Sequence, residues 1–161
     1  MVKLLELFGG IGAATKSLRN LGVEFETVDY VEVDPKAVAS YNSIHDENFE
    51  VKDICGYSAP NVVVDVLVHG SPCQDFSIAG LKSGAVDGSR SGLMFETIRV
   101  IEEMGENKPK VVIWENVKNV LSDDMIGAFR KYLGEMSVLG YVNNYEVLNA
   151  MEFGVPQNRD R

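Results

Sequence analysis

Cys73 is the residue in this chain best suited to covalent chemistry. It lies in His69-Gly70-Ser71-Pro72-Cys73-Gln74-Asp75-Phe76-Ser77, directly after the apolar run Val62-Val63-Val64-Asp65-Val66-Leu67-Val68. Sulfur is intrinsically nucleophilic even when only a few per cent is thiolate at neutral pH, and Pro72 fixes the backbone ahead of it. A carboxyl group, Glu115, opens Glu115-Asn116-Val117 after a second apolar run, Val111-Val112-Ile113-Trp114. If both runs are neighbouring strands, both side chains project at one edge of the sheet. A nucleophile and a carboxyl group meeting in a pocket form a chemically sensible pair. The plainer alternatives are a small buried cysteine and a helix-capping acid. The polar, glycine-rich stretch that follows Cys73 argues against burial.

A second set of residues suits a nucleotide-like ligand. Phe8-Gly9-Gly10-Ile11-Gly12 follows one apolar run and opens a helical pattern. Glycines there let a ligand approach the backbone, and a helix N-terminus favours a carboxylate or phosphate. Thr15 stands where the dinucleotide fingerprint wants its third glycine, so the turn is not that motif. Alone it is equally well read as a tight connection. Glu32, about 20 residues on, is placed to accept from both hydroxyls of a ribose, with Asp29 and Asp34 as competitors. Asp53 could accept from an adenine amino group, or be a surface turn residue. Three such residues at the ends of adjacent strands are more informative than any one.

The elements that must position these groups alternate strand and helix. Val2–Phe8 reads as a strand, 13–21 as a helix stopped by Gly22, and Phe25–Val31 as a second strand. Asp34-Pro35 caps and starts a helix through Tyr41. A short third strand is expected near Phe49-Glu50-Val51. The β-branched run Val62–Val68 predicts a fully buried parallel strand. Residues 75–92, with four glycines and four serines, read as a long loop that could act as a lid. Met94, Ile98 and Ile101 mark a helix, Val111–Trp114 a fifth strand, and Ile126, Phe129, Leu133 and Met136 a helix closed by Gly140. Asn144–Leu148 is expected to be a sixth strand. The pattern is that of an α/β, doubly wound, mostly parallel sheet with its first strand central.

At 161 residues, 45% hydrophobic and 24% charged, the chain suits one soluble domain with a real core. No apolar run or signal-like segment points to a membrane. Two cysteines without a CxxC and two histidines argue against a disulfide framework or a metal site, and for a reducing cytoplasm. The net charge of −9 is awkward for a nucleic-acid partner, since phosphate contacts need Lys and Arg.

Together these segments resemble the DNA (cytosine-5) methyltransferases. Phe8–Gly12 resembles that family's cofactor turn, and Gly70–Ser77 its Pro-Cys-Gln motif. Glu115-Asn116-Val117 is similar to its Glu-Asn-Val motif, and Gln157-Asn158-Arg159-Asp160-Arg161 to its Gln-x-Arg-x-Arg motif. The four occur in the family's order along the whole chain. The resemblance implies a Rossmann-like, S-adenosylmethionine-dependent fold, and an enzyme of prokaryotic or phage restriction-modification type. It makes Cys73, Glu115, Arg159 and Arg161 catalytic. It assigns Phe8, Gly10, Ile11, Gly12, Glu32, Val33, Asp53, Ile54, Pro72 and Leu93 to S-adenosylmethionine or its product S-adenosylhomocysteine, with no metal. The substrate implied is DNA, its target cytosine flipped out of the duplex.

Two departures from the family pattern matter. Val33 is smaller than the apolar side chain that often stacks on the adenine. The chain also stops at Arg161, where family members continue with another core strand and a target-recognition domain. Residues 1–161 are therefore expected to form a partial catalytic and cofactor-binding domain, truncated before the last core strand. The recognition domain is expected to be absent, and a complementary chain could supply it. Its absence would account for the acidic balance. The competing readings are a truncated, inactive cofactor-binding remnant and a transfer-RNA cytosine-5 methyltransferase.

Overall fold

The computed structural model of the protein describes residues 1–72 and 92–161. Cys73, Gln74 and the expected lid loop therefore lie outside the described residues, apart from Gly92. The chain divides into two compact units, Met1–Ser71 with Arg99–Trp114, and Pro72–Ile98 with Glu115–Arg161.

The first unit is built on four parallel strands, β1 (Val2–Leu7), β2 (Phe25–Val31), β3 (Val66–His69) and β4 (Val111–Trp114). Their order is β2-β1-β3-β4. Helix α1 (Ala13–Asn20) links β1 to β2, α2 (Pro35–His45) follows β2, and α3 (Leu93–Met104) precedes β4. The connections leave the β1/β3 pair in opposite directions, which with right-handed crossovers is the doubly wound arrangement. Ligands of such sheets bind beyond the strand ends where the order reverses, here between β1 and β3. Leu4, Leu5 and Leu7 of β1 are fully buried, as its central position requires.

Local chemistry sets the element ends. Asp34 caps α2 by accepting the Lys36 N–H at 2.9 Å, with Pro35 in the first turn. Asp65 staples the starts of three strands. Its side chain accepts from the Lys3 N–H, its carbonyl from the Lys110 and Val111 N–H groups, and it pairs with Lys110 at 2.7 Å.

Two expected strands in this unit differ. The Val62–Val68 run enters the sheet only at Val66: the Asp65 side chain, not a backbone carbonyl, takes the Lys3 N–H of β1, and the Val64 N–H goes to the Asn107 carbonyl. Val62 and Val63 are 39% and 47% exposed, so the run is not the fully buried strand expected. Phe49–Val51 forms no strand either. The Asn42 side chain bonds both backbone groups of Phe49, at 2.8 and 2.9 Å, which competes with a ladder. One rung survives, from the Lys52 N–H to the Glu32 carbonyl at 3.0 Å.

The second unit contains α4 (Ile126–Val138) and short 3-10 turns at Lys118–Leu121 and Ala150–Phe153. Phe129, Tyr132 and Met136 form the buried face of α4, with Tyr132 taking the place expected of Leu133. Gly140, at φ +92°, closes the helix. The expected sixth strand, Asn144–Leu148, is absent. Instead Leu148 and Arg161 exchange two backbone hydrogen bonds of 2.8 Å, and Asn149 bridges Asp160 in antiparallel fashion.

His69, at the end of β3, is fully buried, and burial pushes its pKa down to about 3. It stacks on Trp114 at 5.9 Å. Its neutral form is required by the fold, so its contribution is present above the unfolded value near 6.5 and is lost as pH falls from there toward 3. The slope is about 1.4 kcal/mol per pH unit. Urea unfolding at pH 7, 6 and 5 is expected to show a steeper loss of stability in the wild type than in His69→Gln. Parallel pH profiles would contradict this role.

Candidate functional site

The glycine turn follows β1 at the reversal point. Phe8 and Gly10 have φ of +54° and Gly12 of +84°, the left-handed region that glycine enters without strain. Gly12 caps α1 with no side-chain hydrogen bond, and no acid occupies the helix's first turn. Ile11 is 61% exposed and a Cβ at Gly10 would meet nothing within 4 Å. The outer face of the turn is open, while its inner face is not. A Cβ at Gly12 would lie 2.3 Å from His45 Nε2 and 2.6 Å from the Tyr41 ring, and one at Gly9 would lie 2.6 Å from Tyr30.

Glu32 leaves the end of β2 toward this turn. Its Oε2 accepts the Gly10 N–H at 3.0 Å, and Oε1 accepts from Val33 and Asp34 at 2.8 and 2.9 Å. A carboxylate has about four acceptor positions, so one more donor can be taken without breaking these bonds. Val33 is exposed. Asp53 is exposed and caps the turn Ile54–Gly56 through the Cys55 N–H, whereas the Ile54 side chain is buried and its carbonyl accepts from Arg99. Asp29 holds this segment to β2 by accepting from Lys52 and from the Tyr57 hydroxyl. Gly10, Glu32 and Asp53 are thus gathered in one unit. Pro72 and Leu93, both half-buried, belong to the other.

Beneath the turn lies a polar cluster that the sequence reading missed. Glu6 is 2% exposed, and its Oε1 accepts from Thr15 at 2.5 Å and Tyr41 at 3.0 Å. Burial holds the Glu6 carboxyl above its usual range and pushes the Tyr41 hydroxyl up to about 12. Two signals were available. Glu6 is an acid inside the apolar run Leu4–Leu7, and Val38, Tyr41 and His45 repeat at helical spacing.

At the end of the sheet Gly70 donates to the Leu7 carbonyl, and Trp114 Nε1 donates to Ser71 Oγ at 3.1 Å. Pro72 and Glu115 follow these residues in the chain.

The second unit brings the other motif residues together. Arg161 Nε donates to Glu115 Oε1 at 2.8 Å. Arg159 and Arg161, two apart on an extended segment, line one cavity of about 440 Å³ with Leu148, Phe153, Val155 and Gln157. Asp160 between them is held by Lys118 at 3.1 Å and by the Asn149 amide at 2.8 Å. Asn149, also unanticipated, bonds Asn158 as well. Among the described residues no cluster is arranged to hold a metal ion, and no helix is long and apolar enough to cross a membrane.

The model of the C-5 cytosine-specific DNA methylases matches residues 2–161. The orphan methyltransferase M.Rho11sI of Bacillus phage rho11s is 38% identical, over 99% of this chain and 32% of its own length. The type II methyltransferase M.Bsp6I of Bacillus sp. (strain RFL6) is 37% identical, over 100% of this chain and 50% of its own length. Thus the chain spans about a third to a half of these relatives. Its fold is that of the crystal structure of the S. pombe Dnmt2 methyltransferase, with a TM-score of 0.76, 21% identity, and coverage of 99% of this chain and 47% of that one. With a family model matching nearly its whole length, this chain belongs to the C-5 cytosine-specific DNA methylase family.

Proposed function

We propose that this chain is the cofactor-binding and catalytic portion of an enzyme that methylates carbon 5 of cytosine in DNA. In this reading the reaction passes through a covalent adduct with Cys73. Beyond family membership, the observation that supports it most is the Glu115–Arg161 pair. It joins two motif residues far apart in sequence, beside a cavity that Arg159 also lines.

The glycine turn fits S-adenosylmethionine. Its outer face is open backbone, α1 offers an uncapped N-terminus to a carboxylate, and Glu32 retains acceptor capacity for a ribose hydroxyl. Phe8, Gly10, Ile11, Gly12, Glu32, Val33, Asp53 and Ile54 would hold the cofactor, with Pro72 and Leu93 completing the set. When bound, it supplies an electrophilic methyl group for carbon 5.

The remaining steps belong to the chain's own groups. The Cys73 thiolate adds to carbon 6 of the flipped cytosine, which turns carbon 5 into an enamine nucleophile. Glu115 hydrogen-bonds ring nitrogen 3 and the exocyclic amine and stabilises the charge that develops on addition. Arg159 and Arg161 donate to the cytosine oxygen and nearby backbone as rigid cations. After methylation, carbon 5 loses its proton to a base and the carbon–sulfur bond breaks, which restores the thiolate and the aromatic ring.

Extruding the base costs a few kcal/mol. A chain of net charge −9 offers little to offset that against a polyanion. We therefore assign DNA binding largely to further polypeptide carrying a recognition domain, in the same protein or a separate one. The compartment is a reducing cytoplasm, prokaryotic or phage-infected.

Calorimetry with S-adenosylhomocysteine tests the cofactor assignment. Glu32→Ala is expected to weaken binding on the order of tenfold to a hundredfold, the worth of hydrogen bonds to a charged acceptor. Equal affinity in the variant would remove Glu32 from the cofactor site.

A further inference from the structure

Three side chains grip successive polar groups of the glycine turn. Glu32 takes the Gly10 N–H, the Tyr30 hydroxyl donates to the Gly10 carbonyl at 2.6 Å, and His45 Nε2 bonds the Ile11 carbonyl at 3.0 Å. A carbonyl only accepts, so the histidine proton is on Nε2. The ring is 2% exposed, and its Nδ1 is buried with no hydrogen-bond partner among the described residues. Burying an unpaired nitrogen is unfavourable. An apolar side chain would fill the space without that cost, so the bond made by Nε2 is what distinguishes histidine here.

The rings are also fitted to the glycines. Tyr30 and Tyr41 pack at 4.0 Å, Tyr41 and His45 at 4.6 Å. They occupy the space that Cβ atoms at Gly9 and Gly12 would need. A glycine-rich turn loses more conformational entropy on ordering than any other sequence. A ligand that must order it binds more weakly than one that meets it preformed.

We propose that Tyr30 and His45 are positioning residues for cofactor binding, fixing the Gly10 and Ile11 peptide groups so that the open face of the turn is preformed. The inference rests on the cofactor reading above. Neither residue touches the ligand in this account; both act through the backbone.

Tyr30→Phe keeps the ring against Gly9 and removes only the donor. His45→Leu removes the other donor, and His45→Gln restores an amide N–H. Tyr30→Phe and His45→Leu are each expected to raise the Kd for S-adenosylhomocysteine about tenfold, the equivalent of one hydrogen bond. His45→Gln is expected to recover most of the loss. In the unliganded chain, amide exchange at Gly10 and Gly12 should accelerate in the two weakened variants, while Leu4 and Leu5 of β1 exchange as in the wild type. Unchanged affinity in both variants, with the wild type binding, would overturn the inference alone. So would a loss accompanied by equally faster exchange throughout β1, which reports general unfolding. No binding by the wild type would overturn the cofactor reading and the inference with it.

Discussion

Gly12→Ala is expected to abolish cofactor binding and to lower stability by about 3 kcal/mol, combining a left-handed backbone penalty with overpacking. The residue sits at φ +84°, and an added methyl would lie 2.3 Å from His45 Nε2 and 2.6 Å from the Tyr41 ring. Neither ring can retreat freely. Tyr41 is fully buried and bonded to Glu6 and Thr15, and His45 is bonded to the Ile11 carbonyl. The turn must move instead, and with it the peptide groups that would face the cofactor. Gly10→Ala is the matched control. It also lies in the left-handed region, at φ +54°, but its Cβ would meet nothing within 4 Å, so only the backbone penalty of roughly 1–2 kcal/mol applies. Urea unfolding and calorimetry on both variants check this. Equal losses in the two would mean that the packing beneath the turn does not matter.

Glu115→Gln is expected to reduce methyl transfer by on the order of 10²–10³ in kcat, the usual effect of deleting one group that stabilises developing charge. The comparison requires chain reconstituted with polypeptide that binds DNA. Glutamine is nearly isosteric and can still accept from Arg161 Nε, so the 2.8 Å contact need not be lost. An amide N–H can still donate a hydrogen bond to ring nitrogen 3; what disappears is an acidic group able to pass a proton to that nitrogen as charge develops. Cofactor affinity should stay unchanged, because the proposed role of Glu115 is toward the cytosine ring and not toward the cofactor. A loss carried by the KM for S-adenosylmethionine would assign Glu115 to cofactor binding instead.

The strands whose boundaries were legible in the sequence are those with full-length partners. Phe25–Val31 and Val111–Trp114 form as the apolar runs predict. The Val62–Val68 run yields a shorter strand than its composition suggests, because β-branched residues report strand preference whereas a ladder needs free backbone groups, and the Asp65 side chain takes the Lys3 N–H just before Leu4 pairs with Val66. Phe49–Val51 failed for a different reason, since one amide side chain, Asn42, satisfied the backbone groups of Phe49. Such long-range satisfaction leaves no periodic signal. The glycine turn was visible because glycine advertises its own backbone. Its support was not, because Tyr30, Tyr41 and His45 look like ordinary core residues until the fold places them under Gly9 and Gly12. Arg159, Arg161 and Glu115 were found through the family's motifs; their spacing alone would not have joined them.

In the proposed reaction Cys73 attacks cytosine so that carbon 5 can be methylated. Duplex DNA carrying tritium at carbon 5 of cytosine reads this directly, because methylation there releases the label into water. Incubated with S-adenosylmethionine and a complementary recognition fragment, the chain is expected to release tritium. The chain alone should release almost none, and the Cys73→Ser pair none detectable, since a serine hydroxyl is a far poorer nucleophile at neutral pH. Release that survives Cys73→Ser would contradict the account, as would methyl transfer to DNA without tritium release, or transfer confined to transfer RNA.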